Sequence, residues 1–157
     1  MKTRTSAERL IDAPAEVVYH LISDYAEHHT DSPKGFLPDA FYGTVVERGG
    51  VGEGTVVRFT SKLGGRTQTM TASISEPVPG RVLVETGPGV ETTFTVEPEG
   101  AGQARVRFDT VLEAPGPMGL LIHLLAPGMI RPTYEQELDR LEKYARAHGP
   151  VPAPARV

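Results

Sequence analysis

The middle of the chain alternates inward and outward side chains with a period of two, and short turns interrupt the alternation repeatedly. From Gln68 to Ile74, from Thr92 to Val96 and from Arg105 to Leu112, this pattern is typical of strands with one buried face. Each turn between the strands contains glycine or proline and is too short for a parallel crossover. From Phe41 onward the sequence therefore predicts six strands in an antiparallel meander.

Helical periodicity precedes this meander. A short strand over Thr3–Ile11 is followed by a predicted helix with Pro14 in its first turn and Asp12 or Ala13 as its cap. The apolar stripe of this helix consists of Val17, Val18, Leu21 and Ile22. The polar segment Glu27–Lys34 is interpreted as a second short helix or a loop.

The final third of the chain returns to helical spacing. Its two apolar stripes are Met118, Leu121, Ile122 and Leu125, then Tyr134, Leu138, Leu141 and Ala145. Pro127 and Gly128 between them are expected to kink or interrupt the helix, because a proline ring removes a hydrogen bond and clashes with the preceding turn. Residues 149–157 are proline-rich and predict a flexible tail. Residues 1–148 then form a single domain.

An antiparallel sheet with one apolar face needs a cover, and only the C-terminal helix is long enough to provide it. A strongly twisted sheet curls around such a helix and leaves space between them. The sequence therefore predicts an α+β fold with a curved antiparallel sheet of about seven strands. The sheet wraps around a long C-terminal α-helix and encloses a cavity.

Composition narrows the classes of function. The 157 residues suit one domain that needs no metal or disulfide, and the absence of cysteine excludes thiolate chemistry. A net charge of −4 provides no concentrated basic face for nucleic acid. No apolar run approaches the ~20 residues of a membrane span, and no signal peptide is visible. We expect a cytoplasmic protein without stable membrane insertion, without a cofactor and without a metal.

Three segments carry a resemblance to a known family. Ile11–Tyr19 with Leu21–Tyr25 resembles the first helix of the START-like (SRPBCC) superfamily, and Gly52–Phe59 is similar to its second and third strands. Leu138–Ala145 is similar to its last helix, most of all in the bacterial polyketide cyclase/dehydrase-like branch. The resemblance covers residues 3–147. It implies a helix-grip fold that binds hydrophobic ligands such as lipids, sterols and polyketides.

His123 lies within an apolar run and is the best catalytic candidate, as a polar anchor or a neutral acid/base in the cavity. Its alternative place is the outer edge of the helix or a hydrogen bond to a strand carbonyl. Gln68 shares a face with Met70, where an unpaired buried amide costs ~1–3 kcal/mol. Its partner is a ligand oxygen, a buried water or a neighbouring strand. Tyr25 and Tyr134 are expected to project phenol groups into the cavity.

Apolar residues on the predicted inner faces are candidates for the cavity wall, with core packing as their alternative role. The full set of ligand-binding candidates is Tyr25, Phe36, Val57, Phe59, Gln68, Met70, Phe94, Phe108, Met118, Leu121, Ile122, His123, Leu125, Met129 and Tyr134. The break at Pro127 suggests that the segment from Met118 to Leu125 moves as a lid.

Two further motifs are given structural interpretations. The glycine-rich segment 49–54 lacks a following helix and a Lys-Ser/Thr pair, so it predicts a hairpin turn and not a phosphate-binding loop. Asp24, His28, His29 and Asp31 suggest a metal site, but a solvated polar surface is the preferred interpretation. The resemblance places this segment at the mouth of the pocket, where His28 or His29 would meet a polar headgroup.

Three functions remain open on the sequence. Binding or carriage of a lipid- or polyketide-like molecule is preferred, because no carboxylate is predicted on the inward face and no hydrolase motif is present. The alternatives are a cyclase/aromatase-like or dehydratase-like enzyme using the same cavity, and a protein-interaction module with a filled core. The expected partner is a hydrophobic small molecule, and the chain is a monomer or a homodimer.

Overall fold

The computed structural model describes residues 1–148, so the predicted tail at 149–157 lies outside the described residues. The elements in chain order are β1 (Lys2–Ile11), α1 (Ala15–Ser23), β2 (Phe41–Arg48), β3 (Val56–Leu63), β4 (Arg66–Val78), β5 (Val82–Gly87), β6 (Val90–Glu99), β7 (Gln103–Glu113) and α2 (Gly116–His148). The seven strands form one antiparallel sheet in the order β1-β7-β6-β5-β4-β3-β2. The predicted α+β architecture, with about seven strands and a long C-terminal helix, is confirmed.

The strand alternation sets the buried face of the sheet. On β6 and β7, Phe94 lies opposite Phe108 and Val96 opposite Val106, and all four side chains are buried. The rings of Phe94 and Phe108 meet edge to face, with centroids 4.7 Å apart. Such cross-strand pairs stabilise a sheet through direct side-chain contact. The predicted inward faces of these strands are therefore correct.

Helix α1 begins one residue later than expected. Pro14 takes the cap position with φ −59° and ψ 147°, and the first helical residue is Ala15. Its extended ψ keeps Pro14 out of the first helical turn, so the prediction that Asp12 or Ala13 caps the helix is wrong. The segment from 25 to 40 contains turns and no helix. This finding decides between the two interpretations of Glu27–Lys34 in favour of a loop.

The glycine-rich segment 49–54 links β2 to β3 as a turn. The carbonyl of Gly50 accepts hydrogen bonds from the backbone N–H groups of Tyr25 (2.8 Å) and Ala26 (3.2 Å). These bonds hold the turn against the C-terminal end of α1, where the chain enters the long loop.

Helix α2 is continuous through both of its internal prolines, so the expected interruption at Pro127 and Gly128 does not occur. The N–H that Pro127 lacks would have bonded the carbonyl of His123, which lies on an exposed turn where water can satisfy it. Beyond the prolines, Leu138 and Leu141 are fully buried. No helix within residues 1–148 is long and apolar enough to cross a membrane.

Replacing a leucine by alanine should affect the free energy of unfolding differently in the two halves of α2. Leu138 is 1% exposed and Leu124 is 67% exposed. We expect Leu138→Ala to lower the free energy of unfolding by about 2–5 kcal/mol, because it leaves a cavity in the core. The control Leu124→Ala on the same helix should change it by less than about 0.5 kcal/mol. Urea denaturation measures both, and equal losses would contradict the burial of the C-terminal half.

Candidate functional site

A cavity of about 370 Å³ lies between the concave face of the sheet and α2. Its walls are mainly apolar and come from β3, β4, β6 and one side of α2. The middle of α2 covers it: Met129 lies so close to Gly64 in the β3–β4 turn that a Cβ on Gly64 would meet its sulfur at 2.5 Å. Gly64 also has φ +58°, so the turn requires glycine for two reasons.

The structure brings nine of the predicted site residues together on this cavity. They are Tyr25, Val57, Phe59, Gln68, Met70, Phe94, Ile122, Met129 and Tyr134. They come from the loop after α1, from the three strands β3, β4 and β6, and from α2. Only the tertiary structure brings these elements to one wall, although the face of each strand was evident from its alternation.

Six predicted site residues do not line the cavity. They are Phe36, Phe108, Met118, Leu121, His123 and Leu125. Phe108 is in the core behind the wall, and its ring meets those of Phe94 and Tyr134 edge to face. Phe36 is buried against the ring of His29, 4.8 Å away. Met118, Leu121 and Leu125 are about half exposed on the outer side of α2.

His123 points away from the cavity. Its Nδ1 lies 3.2 Å from the hydroxyl oxygen of Thr3 on β1, and the side chain is exposed. Ile122 and Ala126 face the cavity. Because His123 follows Ile122 and lies about 100° further around the helix, its side chain faces elsewhere. His123 therefore occupies the outer edge of the helix and not the inner wall.

A polar group of four residues lines the cavity, and we term it the acid–histidine cluster: Tyr25, His29, Glu85 and Glu137. Tyr25, His29 and Glu137 are buried, and the side chain of Glu85 is 18% exposed. The Tyr25 hydroxyl donates a short hydrogen bond to Glu85 Oε2. His29 Nε2 lies 3.8 Å from that same oxygen and 3.7 Å from Glu137 Oε2. Loop, strand and helix each contribute to this cluster, and both carboxyl groups meet at one imidazole nitrogen.

His29 is held as a neutral ring with a defined tautomer. Its Nδ1 lies 2.7 Å from the carbonyl oxygen of Ile22, which can only accept a hydrogen bond, so Nδ1 carries the proton. The ring is stacked on Tyr25, with centroids 4.4 Å apart, and is buried. Burial lowers the pKa of His29 to about 4. At neutral pH its Nε2 is therefore a lone-pair acceptor facing Glu85 and Glu137.

Glu137 is held away from bulk water, and Glu85 is partly shielded from it, with a side chain that is 18% exposed. Glu137 is 2% exposed, and its Oε2 has no hydrogen-bond partner within the described structure. Burial raises the pKa of Glu137 well above its usual range, and the neighbouring Glu85 raises it further. Burial likewise raises the pKa of Glu85 to about 7. A pKa of about 7 allows Glu85 to exchange a proton near neutral pH.

Tyr134 belongs to a separate polar trio with two threonines. Its hydroxyl is hydrogen-bonded to Thr110 and lies 3.3 Å from the hydroxyl of Thr92. The two threonine hydroxyls are 2.8 Å apart. The trio satisfies its own hydrogen bonds, whereas the acid–histidine cluster does not.

The expectation of no inward carboxylate is wrong, because Glu85 and Glu137 both line the cavity. The sequence carries a signal for each. Glu137 lies three residues after Tyr134 and four before Leu141, and therefore within the same helical stripe. Glu85 shares its strand face with Leu83, which is fully buried. His29 lies in an irregular loop, where no periodicity indicates its direction.

The four residues suggested as a metal site do not converge. His29 lines the cavity, and Asp31 instead accepts hydrogen bonds from the backbone N–H groups of Gly43 and Thr44. Asp24 and His29 are buried, so the preferred interpretation as a solvated polar surface is wrong for both.

A different trio has metal-ligand spacing. His20, Asp24 and His28 each place a ligand atom within 4.8 Å of the others, a group that could hold a metal ion. Asp24 Oδ1 accepts hydrogen bonds from two backbone N–H groups, and His28 Nδ1 lies 2.8 Å from the Tyr144 hydroxyl. The trio does not line the cavity.

The chain is similar to a known protein family over nearly its whole length. The model of the family described as polyketide cyclase / dehydrase and lipid transport matches residues 2–146. No curated protein sequence matches the chain.

Solved structures share the fold over nearly the whole chain. The KanY protein is 25% identical, with a TM-score of 0.76 over 93% of this chain and 99% of that one. The Zhui aromatase/cyclase from Streptomyces sp. R1128 is 15% identical, with a TM-score of 0.69 over 93% and 94%. A START superfamily protein from Mycobacterium smegmatis is 18% identical, with a TM-score of 0.65 over 92% and 97%.

The raised pKa of Glu85 predicts a pH-dependent contribution to stability. Between the unfolded value of 4.5 and the folded value of about 7, the native state keeps a proton that the unfolded state releases. The free energy of unfolding of the parent protein, relative to Glu85→Gln, should therefore fall by about 2 kcal/mol as pH rises through this window.

Urea denaturation at several pH values between 4.5 and 7 measures this difference. His29 is present in both proteins, so its own titration cancels. Glu91→Gln, an exposed position on β6, carries the same change of charge and serves as the control. A difference between parent and Glu85→Gln that stays constant with pH would contradict the raised pKa.

Proposed function

Because the chain belongs to the polyketide cyclase/dehydrase and lipid transport family, we propose that it binds or carries a hydrophobic small molecule in the cavity between the sheet and α2. The observation that supports this most directly is the cavity itself. Its volume of about 370 Å³ lies within the ~300–1,000 Å³ of small-molecule sites. A protein-interaction module with a filled core would have no such space.

The walls supply affinity and the polar end supplies orientation. Burying apolar surface of a ligand against Val57, Phe59 and Phe94 contributes ~25 cal/mol per Å². The acid–histidine cluster offers the polar groups that fix which end of the ligand enters first. An elongated or fused-ring molecule with one polar end fits this division of the cavity.

A cavity-filling variant tests the proposal. Ala72 is buried on β4 and lines the cavity, whereas its neighbour Thr71 faces the opposite side of the sheet and is exposed. We expect the parent to bind the neutral dye N-phenyl-1-naphthylamine at about one molecule per chain, and Ala72→Phe to weaken binding at least ~10-fold by occupying the space. Fluorescence titration measures both.

Thr71→Phe is the matched control for Ala72→Phe and should bind the dye as the parent does. Thermal unfolding checks that both variants are folded. If the folded Ala72→Phe variant binds as tightly as the parent, the ligand does not occupy this cavity.

A second candidate function, acid/base catalysis of the cyclase/aromatase or dehydratase type, is supported by one specific observation. Two carboxyl groups on the cavity wall lie within 4 Å of a neutral imidazole, at 3.8 and 3.7 Å from His29 Nε2, and the pKa of Glu85 is raised to about 7. General acid/base catalysis is most effective when the pKa of the group lies near the working pH. Glu85 or Glu137 would donate or remove the proton, and His29 Nε2 would accept it.

Turnover of a poly-ketone mimic separates this candidate from binding alone. We expect Glu85→Gln and Glu137→Gln each to lower kcat by ~10²-fold or more, because Gln cannot transfer the proton. His123→Ala should leave kcat unchanged, since His123 lies outside the cavity. A parent protein that binds the mimic without converting it would contradict catalysis and leave binding as the function.

A further inference from the structure

In the ionised form of its two carboxyl groups, the acid–histidine cluster holds more hydrogen-bond acceptors than donors. His29 Nε2, Glu85 Oε2 and Glu137 Oε2 converge there, and the separations of 3.8 and 3.7 Å are too long for direct hydrogen bonds. Tyr25 supplies a donor, which already goes to Glu85. Glu137 Oε2 is buried and has no hydrogen-bond partner among residues 1–148. The cluster therefore lacks a donor that reaches all three atoms.

From this juxtaposition we infer that the ligand is an apolar primary amine, whose ammonium group binds between Glu85, Glu137 and His29 Nε2. The inference rests on the proposed function and specifies the class of ligand. An ammonium group has three N–H donors and no acceptor, which matches three acceptors around one point. A ligand carbonyl or carboxylate would instead add another acceptor to the same place.

The charges around the cavity favour the same class. No lysine or arginine among residues 1–148 lines the cavity, so nothing described there provides a permanent cation for the carboxyl groups of Glu85 and Glu137. An amine supplies that cation, and a buried ion pair is tolerated when its remaining hydrogen bonds are satisfied. A fatty-acid carboxylate would face Glu85 and Glu137 with no cation to offset its charge.

The apolar remainder of the amine has a continuous path along the wall. Phe94 lies next to His29, with ring centroids 5.5 Å apart, and Val57 and Ala72 continue the wall along neighbouring strands. A chain or ring that leaves the cluster therefore meets apolar surface at once. This arrangement separates a charged head from an uncharged body within a single cavity.

Three eight-carbon probes that differ only in the headgroup test the inference. Octylamine, 1-octanol and octanoate are titrated into the protein at pH 7 by isothermal calorimetry. We expect octylamine to bind at least ~10-fold more tightly than 1-octanol, and octanoate to bind at least ~10-fold more weakly than 1-octanol. Octanoate binding as tightly as octylamine would overturn the inference.

Isosteric variants locate the head of the amine. Glu85→Gln and Glu137→Gln should each weaken octylamine binding at least ~10-fold, with 1-octanol affinity within about threefold of the parent, because only the charge is lost. Glu135→Gln is the matched control, since Glu135 is exposed on the same helix and outside the cavity. It should leave all three affinities unchanged.

The outcomes distinguish a failure of the amine inference from a failure of the proposed function. If 1-octanol binds as tightly as octylamine, or if the Gln variants retain the preference for the amine, the inference is wrong and the proposed function stands. If none of the three probes binds the folded parent protein, both are wrong. Thermal unfolding with and without octylamine provides a second readout, and the stabilisation should disappear in Glu137→Gln.

Discussion

The structure depends on a mismatch of area between one helix and a seven-stranded sheet. Helix α2 has 33 residues and is therefore about 50 Å long, but it covers only a strip of the sheet. Its C-terminal half packs through Leu138, Leu141 and Ala145, which are fully buried. Its middle part bridges the concave face and leaves the cavity beneath it. The twist of the sheet provides the concavity.

That mismatch of area explains why ionisable side chains are tolerated inside the fold. A tightly packed core would leave no space for Glu85 and Glu137, because an unpaired buried charge costs several kcal/mol. Beside a cavity both groups are accommodated at moderate cost, and burial raises the pKa of each. Together with Tyr25 and His29 they give one part of the mainly apolar cavity a polar character. The same architecture therefore favours a ligand that has an apolar body and one polar end.

The surface of α2 shows the same division. Residues that face the sheet, such as Ile122 and Ala126, line the cavity, whereas Leu120, Leu124 and Leu125 are more than half exposed. Helical periodicity alone does not separate these sets, because nearly every position from 118 to 125 is apolar. Where a pattern is uniform, only the packing partner decides which side is inside.

The sequence by itself determined the element order, the antiparallel meander, the inward faces of β4, β6 and β7, and the family resemblance. These follow from local physics, since alternation with a period of two and short turns leave few other arrangements. The tertiary structure decided which residues meet at the cavity. His29, Glu85 and Glu137 are each more than 50 residues from the next along the chain. They lie in a loop, a strand and a helix, and each of these elements has its own local sequence pattern. No local rule joins those patterns, because the distance between them depends on how α2 and the loop pack against the sheet.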